Sequence, residues 1–304
     1  MTNVNIDRRG FLFGAAVLAG CVSPSASSAG DETVIISDVH VNGAEEGPKH
    51  ALARLKVFVD RLLEKPSRRV VVLGDHAHGF GRSADYSVFE PEIRRLERSG
   101  VEVVMTLGNH DRRESFFSVF PELAGRSPVA GFAAAKVALC AADLILIDSL
   151  HEKPDAPSNP GKGRLSGEQG EWLLGELRRA ERPVIVAAHH PVWDMNVGKT
   201  PLARILQDDP HVVGYLHGHE HVWSTGFLWA KQEPGTLLQS CGVPSLGAWG
   251  DIGYAVLKTS PGSIVVESHV EDFFLPEPLS GGAVSPAWRG RVADLRGAKC
   301  TFVA

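Results

Sequence analysis

Thiols, basic runs and long apolar stretches are all scarce in this sequence, and each scarcity removes a class of protein. Four cysteines occur in 304 residues: Cys21, Cys140, Cys241 and Cys300. No two have the Cys-x-x-Cys spacing of a zinc ribbon or a redox pair. The three beyond Cys21 cannot all pair within one chain. Cys140 and Cys241 are the one pair considered for a bridge, and buried thiols are the expectation otherwise. No run of Lys or Arg forms a basic stripe, and the formal net charge is −5, so no nucleic-acid partner is expected. The apolar run at residues 11–20 is about half of the ~20 residues that a membrane span requires. No internal repeat or low-complexity tract of any length is present.

That apolar run reads as the core of a signal peptide. It follows Asp7-Arg8-Arg9-Gly10-Phe11-Leu12, which resembles a twin-arginine (Tat) signal for exporting folded proteins. The plainer reading is a chance arginine pair in an ordinary Sec signal. Leu18-Ala19-Gly20-Cys21 resembles a bacterial lipobox, which would lipidate Cys21 and anchor the chain to a membrane. The alternative is cleavage near Ala29, in the Ser/Ala-rich stretch 23–30. Residues 1–30 are therefore read as leader and linker, 31–270 as one domain, and the Pro/Gly-rich 271–304 as a tail packed on it. The expected location is the periplasm or cell envelope.

Short apolar runs at 33–37, 69–73, 101–107, 143–147, 183–188 and 212–216 read as buried strands. Amphipathic stretches at 49–64, 86–99 and 166–180 alternate with them. The last opens with Ser166 and Gln169 at capping-box spacing. Alternation of this kind predicts an α/β fold with sheets covered by helices. After His221, runs at 225–230, 236–240, 254–259 and 263–269 are separated by Gly and Pro, predicting a separate antiparallel sheet.

Histidine is what the chain has in excess. Nine of its 13 histidines fall in five short clusters: His40; His76 and His78; His110; His189 and His190; and His217, His219 and His221. Core or solvated histidines have no reason to cluster, whereas metal ligands do. Asp38-Val39-His40, Gly74-Asp75, Gly108-Asn109-His110-Asp111, His189-His190-Pro191 and Gly218-His219-Glu220-His221 each follow a predicted strand. Open α/β sheets form their ligand crevice at those carboxyl ends. Gly74, Gly108 and Gly218 suit tight turns and close backbone approach. Carboxylate, imidazole and amide oxygen without thiolate suit first-row dications. In His219-x-His221, an extended segment would put both rings on one side, each reaching a different ion.

The five blocks, in this order, resemble the calcineurin-like metallophosphoesterases, a family that includes purple acid phosphatases and bacterial phosphodiesterases. The resemblance implies two mixed sheets in a βαβ sandwich flanked by helices, with the metal site at the strand carboxyl ends. It implies two metal ions, Fe, Mn or Zn. One ion would be held by Asp38, His40, Asp75 and His221, the other by Asp75, Asn109, His189 and His219, with Asp75 bridging. It further implies in-line attack on a small phosphate ester by a hydroxide the ions share, with His110 at the leaving oxygen and Asp111 orienting His110. His190 would line the cleft; His217 is either an outer neighbour of the metals or a packed strand end. Purple acid phosphatases carry a tyrosine three residues after the bridging aspartate, where this chain has His78. That difference favours a phosphodiesterase. His78 itself could ligate, hydrogen-bond to substrate, or pack. The alternatives are a phosphomonoesterase of the same fold, or a catalytically silent lipoprotein that binds metal or a phosphorylated ligand.

Overall fold

The computed structural model describes residues 30–43, 50–153, 161–195, 202–230, 237–247, 249–270 and 292–303. Arg8, Arg9 and Cys21 lie outside the described residues. Two six-stranded sheets stack face to face. The first contains β1 (Asp31–Ile36), β2 (Arg69–Leu73), β3 (Glu102–Thr106), β10 (Gly253–Ser260), β11 (Ser263–Val270) and β12 (Lys299–Phe302), in the order β12-β11-β10-β1-β2-β3. The second contains β4 (Ala135–Ala138), β5 (Asp143–Ile147), β6 (Val184–Ala188), β7 (Val212–His217), β8 (Ser224–Ala230) and β9 (Leu237–Gly242), in the order β4-β5-β6-β7-β9-β8. The α/β class is the one expected from the strand–helix alternation, and the two mixed sheets are those the family resemblance implies.

Period-two alternation along the strands divides the interior into three cores. Ile35, Val71, Leu73, Leu144, Leu146, Ile185 and Ala187 point inward and fill the space between the sheets. Their neighbours Val34, Ile36, Val70 and Val72 point outward, onto Leu55, Phe58 and Val59 of α1 (Ala51–Glu64) and Phe89, Ile93 and Leu96 of α2 (Ser83–Arg98). On the opposite face, Ile145, Ile147, Val184 and Val186 pack on Leu173 and Leu177 of α5 (Gly167–Arg178). Strands buried on both faces read as continuous apolar runs, which is why RVVVL, DLILI and VIVAA were recognisable. Ser166 caps α5 as its spacing predicts, accepting a hydrogen bond from the Gln169 amide at 3.2 Å.

Three expectations are corrected. The four strands after His221 do not make a sheet of their own. β8 and β9 form a hairpin that extends the second sheet, with β9 parallel to β7, whereas β10 lies antiparallel to β1 in the first. The segment assigned to the tail supplies β12, which pairs with β11 and completes the first sheet. Cys140 is exposed in the β4–β5 connection while Cys241 is buried in β9, and both are free thiols. Cys241 shares the inter-sheet core with Cys300 instead. Asp148 is fully buried and receives Arg113 through two bonds of 3.0 and 2.9 Å, as well as the Ala133 and Leu150 amides.

The parallel strands β1, β2 and β3, and separately β5, β6 and β7, run their carboxyl ends to the same edge of the sandwich. Polar ties join the two sheets there. Thr106 Oγ1 donates to the Ile147 carbonyl at 2.9 Å, and His189 Nδ1 to the Leu73 carbonyl at 2.8 Å.

Phe302 tests whether β12 belongs to the domain. Its ring is buried and occupies the space left by the absent side chain of Gly214 in β7. Phe302→Ala should lower unfolding free energy by about 3–5 kcal/mol, measured as a shift in urea midpoint. An unchanged midpoint would return β12 to a dispensable tail.

Candidate metal centre

The loops leaving β1, β2, β3, β6 and β7 bring nine of the sequence-selected side chains to one cleft: Asp38, His40, Asp75, His78, Asn109, His110, His189, His219 and His221. Their backbone is costly. Among the described residues, six that are not glycine adopt a positive φ, and five of these are Asp38 (52°), His40 (49°), Asp75 (50°), His219 (69°) and His221 (58°). A non-glycine residue in this region carries strain of order 1–3 kcal/mol and persists only where surroundings enforce it. Here the loops hold one another: Asp38 N donates to Gly74 O at 3.2 Å, His40 N to Asp75 O at 2.9 Å, and Gly218 N to His189 O at 3.0 Å. The Gly218–His221 segment is thus a left-handed turn, in place of the extended run expected for His-x-His. The two rings still diverge.

Two groups of donors result. In the first, His221 Nε2 lies 3.1 Å from Asp38 Oδ1 and 3.3 Å from His40 Nε2, and His40 Nε2 lies 3.6 Å from Asp75 Oδ2. In the second, His189 Nε2 lies 3.2 Å from Asp75 Oδ2, 3.2 Å from Asn109 Oδ1 and 3.3 Å from His219 Nδ1. Asp75 Oδ2 belongs to both. Its other oxygen accepts the His110 amide at 2.8 Å, which aims the carboxylate.

The donor chemistry fits cations. Asp38 and Asp75 are buried, and among the described residues their ion-pair neighbours are imidazoles, with no Lys or Arg. Asp38 Oδ1 is buried without a formed hydrogen bond. Burial alone would raise both carboxyl pKa values, but the histidines outweigh it and hold both below the ordinary range: His221 chiefly for Asp38, His189 chiefly for Asp75. Burial pushes His40 and His219 down to about 4, so both present neutral nitrogen. His189 moves oppositely: burial would lower it, but Asp75 and Asp38 lift it to about 9. The negative field that retains a proton there is the field a dication would occupy, releasing that proton on binding. His189 donates Nδ1–H to Leu73 O, leaving Nε2 as the free donor, an arrangement common to metal-bound histidine.

The remaining histidines sort by contact. His110 packs edge-on to His40 at 4.8 Å between ring centroids and stacks with His78 at 6.1 Å. One ligand atom from each of His40, His78 and His110 falls within 4.8 Å of the others. His78 therefore opens onto the cleft, which disfavours the reading in which it only packs the turn. His190 is buried beside the second group: one ligand atom from each of His189, His190 and His219 falls within 4.8 Å of the others, and its Nδ1 lies 2.8 Å from Ser149 Oγ. His217 is buried, its Nδ1 3.0 Å from Gly218 O, the packed strand end.

Asp111 does not orient the His110 ring, whose Nδ1 has no hydrogen-bond partner among the described residues. The Asp111 carboxylate instead takes the His76 ring at 3.0 Å, the Ala77 amide at 3.2 Å, the Tyr86 hydroxyl at 3.0 Å and the Gly108 amide at 2.9 Å. It binds the Asn109–His110 loop to the Asp75 loop, and so acts on His110 through the backbone. His76, sandwiched by Phe89 and Phe116, and Tyr86 were given no role from sequence. His76 stood beside Asp75, but nothing in the pattern marked its partner. Asp194, 3.6 Å from His219 Nε2, was likewise unmarked.

Comparison with known proteins agrees with the fold. Residues 32–223 match the family described as calcineurin-like phosphoesterase. A protein of Rhodopseudomonas palustris named "Probable cyclic nucleotide phosphodiesterase" is 29% identical over 143 residues, 46% of this chain and 48% of that one. A Synechococcus protein of the same description is 29% identical over 161 residues, 53% of this chain and 56% of that one. The chain thus spans about half the length of these relatives. A dimetal phosphatase from Danio rerio superposes with a TM-score of 0.61 at 15% identity, covering 78% of this chain and 95% of that one. A purple acid phosphatase from yellow lupin seeds gives 0.55 at 14% identity, covering 86% and 53%. At such identities the two structures speak for the fold alone.

Gly108 offers a test of the centre that removes no donor. A Cβ there would strike Asp75 Oδ1 and sit 2.6 Å from Asp75 N. Gly108→Ala should weaken metal affinity about 10–100-fold, the range for a disturbed ligand support, with circular dichroism unchanged. Parental affinity in a chelator competition would mean that Asp75 does not hold metal.

Proposed function

Because this chain belongs to the calcineurin-like phosphoesterase family, we propose that it is a two-metal hydrolase of phosphate esters, with phosphodiesters preferred. One ion would be held by Asp38, His40, Asp75 and His221, the other by Asp75, Asn109, His189 and His219. The observation that carries this reading is Asp75 Oδ2, 3.6 Å from His40 Nε2 and 3.2 Å from His189 Nε2, a single oxygen common to both donor groups. Oxygen and imidazole donors without thiolate suit Fe, Mn or Zn. When bound, two such ions supply an activated water and neutralise charge on the phosphoryl oxygens.

The chain's own groups do the rest. Asp75 spaces the two groups, and the His110 amide fixes its orientation. Asp111, through Gly108 and Ala77, keeps the His110 loop against the Asp75 loop. The His110 ring faces His40 with Nδ1 uncommitted, which suits a proton donor to the leaving oxygen. His78 stands beside it, placed to hydrogen-bond to a phosphoryl oxygen. The diester preference is supported by the two relatives named for cyclic nucleotides and by His78 where a tyrosinate site would need tyrosine. Export through Arg8-Arg9 and lipid attachment at Cys21 belong to the same proposal and rest on the sequence of the leader.

Assay of the metal-loaded protein against aryl monoester, aryl diester, cyclic nucleotide and glycerophosphodiester decides the class. Exclusive turnover of monoesters would overturn the diester reading. Asp75→Asn should lose metal as well as rate, because a neutral amide bridges two cations poorly; two tightly held ions with parental turnover would sink the bridge. His110→Ala should keep both metals and slow turnover by about 10²–10⁴, most for alcohols of high pKa. Equal losses on nitrophenyl and alkyl esters would remove His110 as proton donor.

A further inference from the structure

Six described non-glycine residues have left-handed backbone, and the sixth, after the five candidate ligands, is Trp249 (φ 58°). Glycine adopts this conformation without cost; a tryptophan does not, and strain of this kind points to a use. The ring is 56% exposed and joins none of the three cores, so burial does not account for it.

The segment carrying Trp249 is pinned from both sides. Leu246 N donates to Ser37 O at 2.9 Å, Gly247 N to Asp38 O at 3.1 Å, and Ser245 Oγ to Asp38 O at 2.9 Å. The buried Arg54 guanidinium donates to Gly247 O. Beyond the tryptophan, Asp251 N donates to His221 O at 2.7 Å, and the Asp251 carboxylate accepts the Trp223 amide at 2.8 Å. Both anchors, Asp38 and His221, are candidate ligands, so the indole is held at a set place relative to the metal centre.

That place is the mouth of the cleft. The indole centroid lies 5.4 Å from the His40 ring, 5.7 Å from His78 and 5.8 Å from His221. It sits on the side where His40 meets His110 and His78 meets His110, the side of the proton donor. One part of the ring touches the histidines; the rest faces water.

We propose that Trp249 is a stacking platform for a planar ring esterified to the phosphate, which makes aryl or nucleoside phosphoesters the substrate class. The inference deepens the phosphoesterase reading and rests on it for the location of the phosphate. An exposed indole offers a flat apolar face to any aromatic ring, and stacking selects for a ring without selecting which one. A simple alkyl ester would leave that face wet.

The test uses metal-loaded protein, with adenosine monophosphate and methyl phosphate as probes. They carry the same phosphate, and the first adds a nucleoside whose base is the ring that can stack; ribose 5-phosphate, which has the sugar without the base, should bind like methyl phosphate. The parent should bind adenosine monophosphate at least about tenfold more tightly, as expected for one base stacked on one aromatic side chain. Trp249→Ala should erase the preference with metal content unchanged. Trp249→Phe should retain most of it, and Trp249→Leu, apolar but without a ring face, should not. The proposal is overturned if the parent shows no preference, if the preference survives in Trp249→Ala, if Leu serves as well as Phe, or if all three variants shed metal. A preserved binding preference with no turnover of any phosphoester would remove the catalytic reading and leave the platform; turnover without ring preference would do the reverse.

Discussion

Two carboxylates buried at one sheet edge, with imidazoles for neighbours and no arginine or lysine paired with them among the described residues, set the terms for everything around the cleft. Isolated buried anions are expensive, and here the cost is met only if a positive charge sits between Asp38, Asp75 and the histidines. The strained backbone follows from the same demand. Five donors reach a common point only by taking left-handed conformations, and the loops must then be held by one another's carbonyls and amides. Asp111 serves this purpose from behind: fully buried, it ties two donor loops together through the His76 ring and the Ala77 and Gly108 amides.

The fold solves a geometrical problem for those loops. Parallel strands end at one edge, so five strand–loop units deliver their side chains to one place however far apart they lie in the chain. Outward residues of each strand hold the helices, and inward residues hold the sheets together. None of the three cores includes a donor side chain. Chemistry at the edge and packing in the interior are therefore carried by different residues of the same strands.

Much of this was legible in sequence because parallel strands buried on both faces are uninterrupted apolar words, and because Gly-Asp, Gly-Asn-His-Asp and Gly-His-Glu-His stand immediately after them. What escaped did so for physical reasons. The strands after His221 have the same texture whichever sheet they join, so their division between the two sheets depended on pairings across long sequence distances. β12 is four residues following a Pro- and Gly-rich stretch, and only its partner β11 makes it a strand. The role of Asp111 could not be read because it stands next to His110 in the chain, while its partners come from elsewhere, His76 and Ala77 from the Asp75 loop and Tyr86 from α2. Left-handed conformations at Asp38, His40 and Trp249 carry no glycine to announce them.

The donors are divided between the sheets. Asp38, His40, Asp75 and Asn109 stand on the first, His189, His219 and His221 on the second, and each proposed ion draws on both. A complete donor set therefore exists only after the two halves of the sandwich have docked, and no stretch of unfolded chain carries it. An ion held there works as a rivet across the interface. It binds the docked state and not the separated one, so occupancy adds to cooperativity by mass action. The same rivet makes the chemistry a gauge of alignment: a slip of one sheet against the other would pull both sets of donors apart.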